Sequence, residues 1–243
     1  MSKDEGTVVY DLINFLNTSP TAFHAVDEAK KQLQAVGYEQ ISEKEVWELK
    51  AGHKYFLTRN HSTIVAFAVG KRYVAGNGFH IIGAHTDSPC LKLKPMSKVV
   101  KGGILEVGVQ TYGGGLWYTW FDRDLTVAGR VILKRENAGS VSYSHCLVRI
   151  EEPIMRVLTL AIHLDRGVND GFKVNTQTHL VPILAMSLKA EVNKVPSENG
   201  SVESGKQNDE RKENDKTGSS NAKHHPILLQ VNWLETHNAF VML

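Results

Sequence analysis

Apolar residues recur at helical spacing from the start of the chain. Val8, Val9, Leu12, Ile13, Phe15 and Leu16 form one stripe, which stops at Asn17-Thr18-Ser19-Pro20. Ser19 as N-cap, with Pro20 in the first helical position, predicts a second helix. That helix carries Phe23, Val26, Ala29, Leu33 and Val36 on one face and stops at Gly37. Both stripes read as amphipathic faces packed on a core. From Lys54 the pattern changes to strands. Tyr55-Phe56-Leu57-Thr58, a turn at Arg59-Asn60-His61-Ser62 and the β-branched run Thr63–Val69 predict a hairpin. Phe79–His85 is a short apolar run with few charges, the pattern of a central α/β strand covered on both faces.

After Pro95 the character shifts. Val99–Val148 is rich in Gly, Val, Thr and Tyr, with Gly102-Gly103, Gly113-Gly114-Gly115 and Gly139 as punctuation, and predicts a β-rich module. Ile154–Arg166 then takes a helical period behind Glu151, Glu152 and Pro153, which suit a helix N-terminus. Pro196–Lys223 is almost purely polar and reads as a disordered linker. Apolar character resumes at His224–Gln230, and no internal repeat is visible.

Composition narrows the class. Of 243 residues, 42% are hydrophobic and 22% charged, which excludes a wholly disordered, collagen-like or coiled-coil chain. Lys and Arg total 28 against 26 Asp and Glu, a net charge of +2 that gives no footing for nucleic acid. Cys90 and Cys146 are the two cysteines, which excludes a four-cysteine zinc site within one chain. They read as two buried free thiols in a reducing compartment, with one disulfide as the alternative. The acidic start MSKDEGTVVYDL shows no secretory signal, and no apolar run nears the ~20 residues that span a bilayer. The expectation is a cytoplasmic protein with neither a membrane nor a nucleic-acid partner. Without a signal, the acceptor patterns at Asn17, Asn60 and Asn199 count as chance matches.

The most informative stretch is Gly83-Ala84-His85-Thr86-Asp87-Ser88-Pro89. On a strand, side chains two apart share a face, so His85 and Asp87 point together at its carboxyl end, where open α/β sheets bind ligands. A metal-binding histidine usually has its second ring nitrogen oriented by a carboxylate, the place Asp87 suits. The pair taken bare is also compatible with two surface polar residues. Other signals fail. Gly200–Gln207 lacks the Ser or Thr of a phosphate loop, no nucleophile elbow or His-Glu-x-x-His helix occurs, and His224-His225 reads as solvated linker.

GAHTDSPCLKLKP (Gly83–Pro95) resembles the aspartyl aminopeptidases, two-zinc exopeptidases that remove N-terminal Asp or Glu. DLINFLNTSPTAFHAV (Asp11–Val26), YGGGLWYTWFDRDLTVAGRV (Tyr112–Val131) and VRIEEPIMRVLTLAIHLDR (Val148–Arg166) are similar to the family in its order and spacing, so the resemblance covers about residues 8–230. It implies an α/β fold: an α/β/α zinc-peptidase domain, incomplete here, with an inserted β-rich oligomerisation domain. The resemblance places residues 1–95 in the first part of the peptidase domain and 96–223 in the insertion, ending in the linker 196–223. Residues 224–243 are then the start of the returning peptidase domain, with a divergent tail. His85 matches the family's first zinc ligand, and Asp87, counted among the catalytic residues, the acid that orients it. His163 matches a histidine that reaches a neighbouring subunit's active site; by pattern alone it is a histidine on a packed helix face. Trp117, Trp120 and Phe121 read as core or subunit-interface aromatics.

The resemblance further implies two zinc ions, peptides with acidic N-termini as substrates, and a homo-oligomer. The tail VNWLETHNAFVML (Val231–Leu243) departs from the family, and Glu235 and His237 within it read as chance. The family's remaining zinc ligands and catalytic glutamate lie beyond the matched region. The expectation is therefore a C-terminally truncated aminopeptidase, inactive alone. The alternative is a non-catalytic interaction protein that pairs with full-length subunits or with itself.

Overall fold

The computed structural model describes residues 3–137, 140–186 and 239–240. Two helices open the chain, α1 at Lys3–Thr18 and α2 at Ala22–Ala35. The start of α2 corrects the sequence expectation. Thr21 is the N-cap, its hydroxyl accepting from the His24 N–H at 3.4 Å. The Ser19 N–H instead returns to the Leu16 carbonyl at 3.3 Å to close α1, and the Ser19 hydroxyl is buried without a partner. Gly37 ends α2 as its pattern predicts. Its φ of 82° lies in the left-handed region, and the N–H groups of Gly37 and Tyr38 reach the carbonyls of Gln34 (3.1 Å) and Leu33 (3.0 Å). Val26 of α2 is buried, but the α1 stripe is not: Val8, Leu12 and Leu16 are exposed. A periodic stripe shows that a helix has an apolar face; only a neighbour can cover it.

The predicted hairpin is present. β1 (Glu39–Gln40) runs parallel to β2 (Lys54–Arg59), and β2 pairs antiparallel with β3 (Thr63–Ala68), from Lys54 opposite Ala68 to Arg59 opposite Thr63. Its turn holds Asn60 and His61 at φ 53° and 58°. Tyr55, Phe56 and Leu57 are all buried, so β2 is covered on both of its faces.

The β-rich module is also present. It comprises β4 (Cys90–Lys101), β5 (Ile104–Tyr112), β6 (Asp124–Leu125), β7 (Ala128–Asn137), β8 (Ser140–Arg149), β9 (Met155–Arg156) and β10 (Ile183–Met186), with β11 (Ala239–Phe240) joining from the far end of the chain. One sheet has the order β4-β5-β10-β9-β6 and another the order β11-β7-β8. Val107, Val109 and Met155 form the core of the first, covered by Leu91, Leu93, Leu125 and Ile154. Pro95, which cannot donate to a ladder, sits where the β4–β5 register jumps between Leu93 and Lys98. β4 thus runs through the residue at which the sequence reading divides the domains.

Two expected elements are absent. Phe79–His85 is not a strand but an irregular segment, with Phe79, Ile81 and Ile82 exposed. A parallel strand exists only through neighbours that complete its ladder, and none of the described strands pairs with this segment. Ile154–Arg166 is not a helix either. Met155 and Val157 are buried around exposed Arg156, a period of two, because β6, β10 and Phe121 offer sheet partners. The Asp122 carboxylate then holds Thr159 through its N–H (3.1 Å) and hydroxyl (2.7 Å), which turns the chain. A short 3-10 turn follows at Arg166–Asn169. The two thiols are free and half-buried, where full burial was expected. The linker 196–223, His224–Gln230, Glu235 and His237 lie outside the described residues.

Candidate metal centre

His85 and Asp87 are not presented by a strand, yet they meet. His85 Nδ1 lies 3.2 Å from Asp87 Oδ1. Three anchors hold the segment in place of a ladder. The Thr86 hydroxyl, between the pair, donates to the Ser62 carbonyl of the β2–β3 turn at 2.8 Å. Downstream, β4 opens with Cys90 paired to Tyr112. Pro89 packs on Gly113, where a Cβ would stand 3.4 Å from the proline Cγ and where φ is +75°. That close approach turns the chain so that the Tyr112 hydroxyl donates to Asp87 Oδ2.

Electrostatics fix the protonation. The Tyr112 hydroxyl bond, and after it His85, holds the Asp87 carboxyl below its ordinary range. The same bond holds the Tyr112 phenol above its own ordinary value, so the pair is carboxylate and phenol at neutral pH. A carboxylate only accepts, so the contact to His85 places the proton on Nδ1 and leaves the Nε2 lone pair free. The His85 side chain is 93% exposed, which leaves that lone pair open to a ligand. Lys92 Nζ lies 3.5 Å from the Tyr112 ring centroid, a cation on the π face. Burial pushes the Cys90 thiol up, which keeps it neutral beside the site.

An imidazole with Nε2 free and Nδ1 turned to a carboxylate is a donor that suits zinc. The residues present therefore fit one contribution to a zinc site. Among the described residues, no group of three or more His, Cys, Asp and Glu side chains converges to hold an ion. His163 sits in an exposed turn at Ala161–Leu164, apart from the contacts of His85 and Asp87, which corrects its reading as part of a packed helix face. Trp117 and Trp120 are half-buried with ring centroids 6.3 Å apart, and Phe121 meets Phe172 edge-on at 4.9 Å. Sequence reasoning missed Tyr112 as a site residue. The signal was present but indirect: only the β4–β5 register brings residue 112 beside residue 87.

Comparison with known proteins follows the same residues. A family model described as aminopeptidase I zinc metalloprotease (M18) matches residues 15–234. A "probable aspartyl aminopeptidase" of Ricinus communis is 68% identical over 232 residues, covering 95% of this chain and 47% of that protein. Among solved structures, a complex of Ape4 and Nbr1 superposes with a TM-score of 0.74 at 41% identity, over 90% of this chain and 38% of that one. A Saccharomyces cerevisiae mApe1 dodecamer gives a TM-score of 0.57 at 27% identity, over 74% and 48%. The chain spans about half the length of the curated relatives it matches. Among the described residues, no helix is long and apolar enough to cross a membrane.

Proposed function

The chain belongs to the aminopeptidase I zinc metalloproteases (M18), and from that membership we propose that it serves the removal of N-terminal aspartate or glutamate from peptides. The observation that carries this reading is the His85–Asp87 contact at 3.2 Å with Nε2 left open. His85 is the metal ligand. Asp87 holds its tautomer and ring orientation, which keeps the donor nitrogen aimed at the ion. Two zinc ions, when bound, polarise the scissile carbonyl and lower the pKa of the attacking water. The exposed turn that carries His163 suits a contact with a neighbouring subunit's site in a homo-oligomer. The dodecameric relative supports that assembly. In this reading residues 1–95 and 224–243 belong to the peptidase domain, residues 96–223 form the inserted oligomerisation module, and the protein works in the cytoplasm.

Hydrolysis of peptides with N-terminal Asp, Glu or Leu, with zinc and after chelation, tests the reading. The expected result is no turnover by this chain alone, whose described residues gather no complete metal-holding group, and zinc-dependent turnover of the acidic substrates, abolished by His85→Ala, once the remaining zinc ligands are supplied. Preference for N-terminal Leu, or turnover indifferent to His85→Ala, would overturn it.

One observation favours a second reading. No metal-holding group gathers among the described residues, while Phe79, Ile81, Ile82 and the α1 stripe stand exposed. On this reading the polypeptide acts by joining full-length subunits or its own copies. Light scattering decides it: a monodisperse monomer at tens of micromolar, with no binding to the full-length enzyme, defeats the idea.

A further inference from the structure

We propose that Tyr112 is a positioning residue for the metal-binding histidine, its hydroxyl fixing Asp87 so that Asp87 holds the His85 ring with Nε2 outward. The inference rests on the reading of His85 as a metal ligand and adds a residue to it. Three independent features converge. The Asp87 carboxylate divides its oxygens, Oδ1 to His85 Nδ1 and Oδ2 to the Tyr112 hydroxyl. A carboxylate with one oxygen free would rotate about its last bond; one engaged on both sides does not. Next, Tyr112 does not reach Asp87 by a flexible loop. It closes β5 opposite Cys90, the residue that opens β4, and the turn beyond it packs Gly113 on Pro89. Finally, Lys92 Nζ over the ring at 3.5 Å makes the hydroxyl a better hydrogen-bond donor and holds the ring in place. The chain Lys92–Tyr112–Asp87–His85 therefore runs from the β4–β5 hairpin to an exposed imidazole that none of the described strands supports.

The test is the tautomer of His85, read from its ring nitrogens by NMR in the full chain at neutral pH. A histidine free in water prefers the proton on Nε2. In the wild type the Nδ1–H form should predominate. In Tyr112→Phe, which keeps the ring and its lysine contact, the ratio of Nδ1–H to Nε2–H should fall about three- to tenfold. The amide signals of β4 and β5 should stay in place, a result that loss of packing alone would not give. An unchanged ratio in folded Tyr112→Phe would overturn the proposal. Should that variant fail to fold, the wild type decides: Nε2–H predominating at His85 overturns it, and Nδ1–H predominating supports it. Added zinc separates the two levels. Zinc that leaves the His85 signals unmoved, while Tyr112→Phe shifts the tautomer, sinks the metal reading and leaves the positioning intact. Zinc that shifts His85 while the tautomer ignores Tyr112→Phe sinks the positioning alone.

Discussion

The Arg130 guanidinium lies over the face of Phe23, 4.4 Å from the ring centroid, and joins β7 to α2. The same side chain donates through Nη1 to the Asn60 carbonyl in the β2–β3 turn at 3.0 Å. Beside it the His61 and His145 rings sit 4.7 Å apart. Polar and cation–π contacts therefore join the N-terminal helices and hairpin to the β7–β8 hairpin. The Thr86–Ser62 bond hangs the candidate site on that same hairpin turn.

Arg130→Ala should weaken this junction by about 1–3 kcal/mol, one cation–π contact plus one hydrogen bond. A double-mutant cycle with Phe23→Leu, followed by urea unfolding, should return a coupling energy above zero. Strict additivity would show that the ring contact contributes nothing.

Acid should loosen the junction. Burial, then His145, Arg130 and Lys30, hold the His61 pKa below its ordinary value, and burial with Arg149 does the same for His24. The unfolded chain therefore binds more protons than the folded one, so stability rises with pH through this window. The contribution is full above about pH 6.5 and declines as the pH falls toward the folded values. Urea midpoints should be lower at pH 5.5 than at 7.5, and His61→Asn, which suits the positive φ, should shrink the difference. Equal midpoints would refute the assignment.

Gly113→Ala should cost about 1–2 kcal/mol, the penalty of a left-handed backbone, before its contact with Pro89 is counted. Because the same turn places Tyr112 on Asp87, the His85 tautomer should move with the stability. A variant as stable as wild type would show that the turn relaxes freely.

Asp87→Asn should leave the fold intact and weaken zinc binding at His85 about 10–100-fold, the usual effect of losing an orienting carboxylate. Competition with a chromophoric chelator measures it. Affinity within twofold of wild type would remove Asp87 from the site.

Phe56→Ala should destabilise the chain by about 3–5 kcal/mol, since this ring is fully buried in the β2–β3 layer. Thermal unfolding gives the loss directly, and a value below about 1 kcal/mol would mean the hairpin core repacks.

The sequence by itself determined what rests on local chemistry. Apolar and β-branched runs on either side of a polar turn made the β2–β3 hairpin, Gly37 stopped α2, and the His-x-Asp spacing put an imidazole and a carboxylate within reach of each other whether or not a strand formed. The motif order also identified the family. Tertiary structure decided what rests on partners. Phe79–His85 has the composition of a central strand and lies open, because a strand needs neighbours to complete its ladder. Ile154–Arg166 has a helical pattern, yet its start became an inner strand of a sheet, because β6 and β10 were there to receive Met155–Arg156 on either side. Tyr112 belongs to the site for the same reason: a β4–β5 pairing sets residues 25 positions apart side by side, and no local pattern encodes that register.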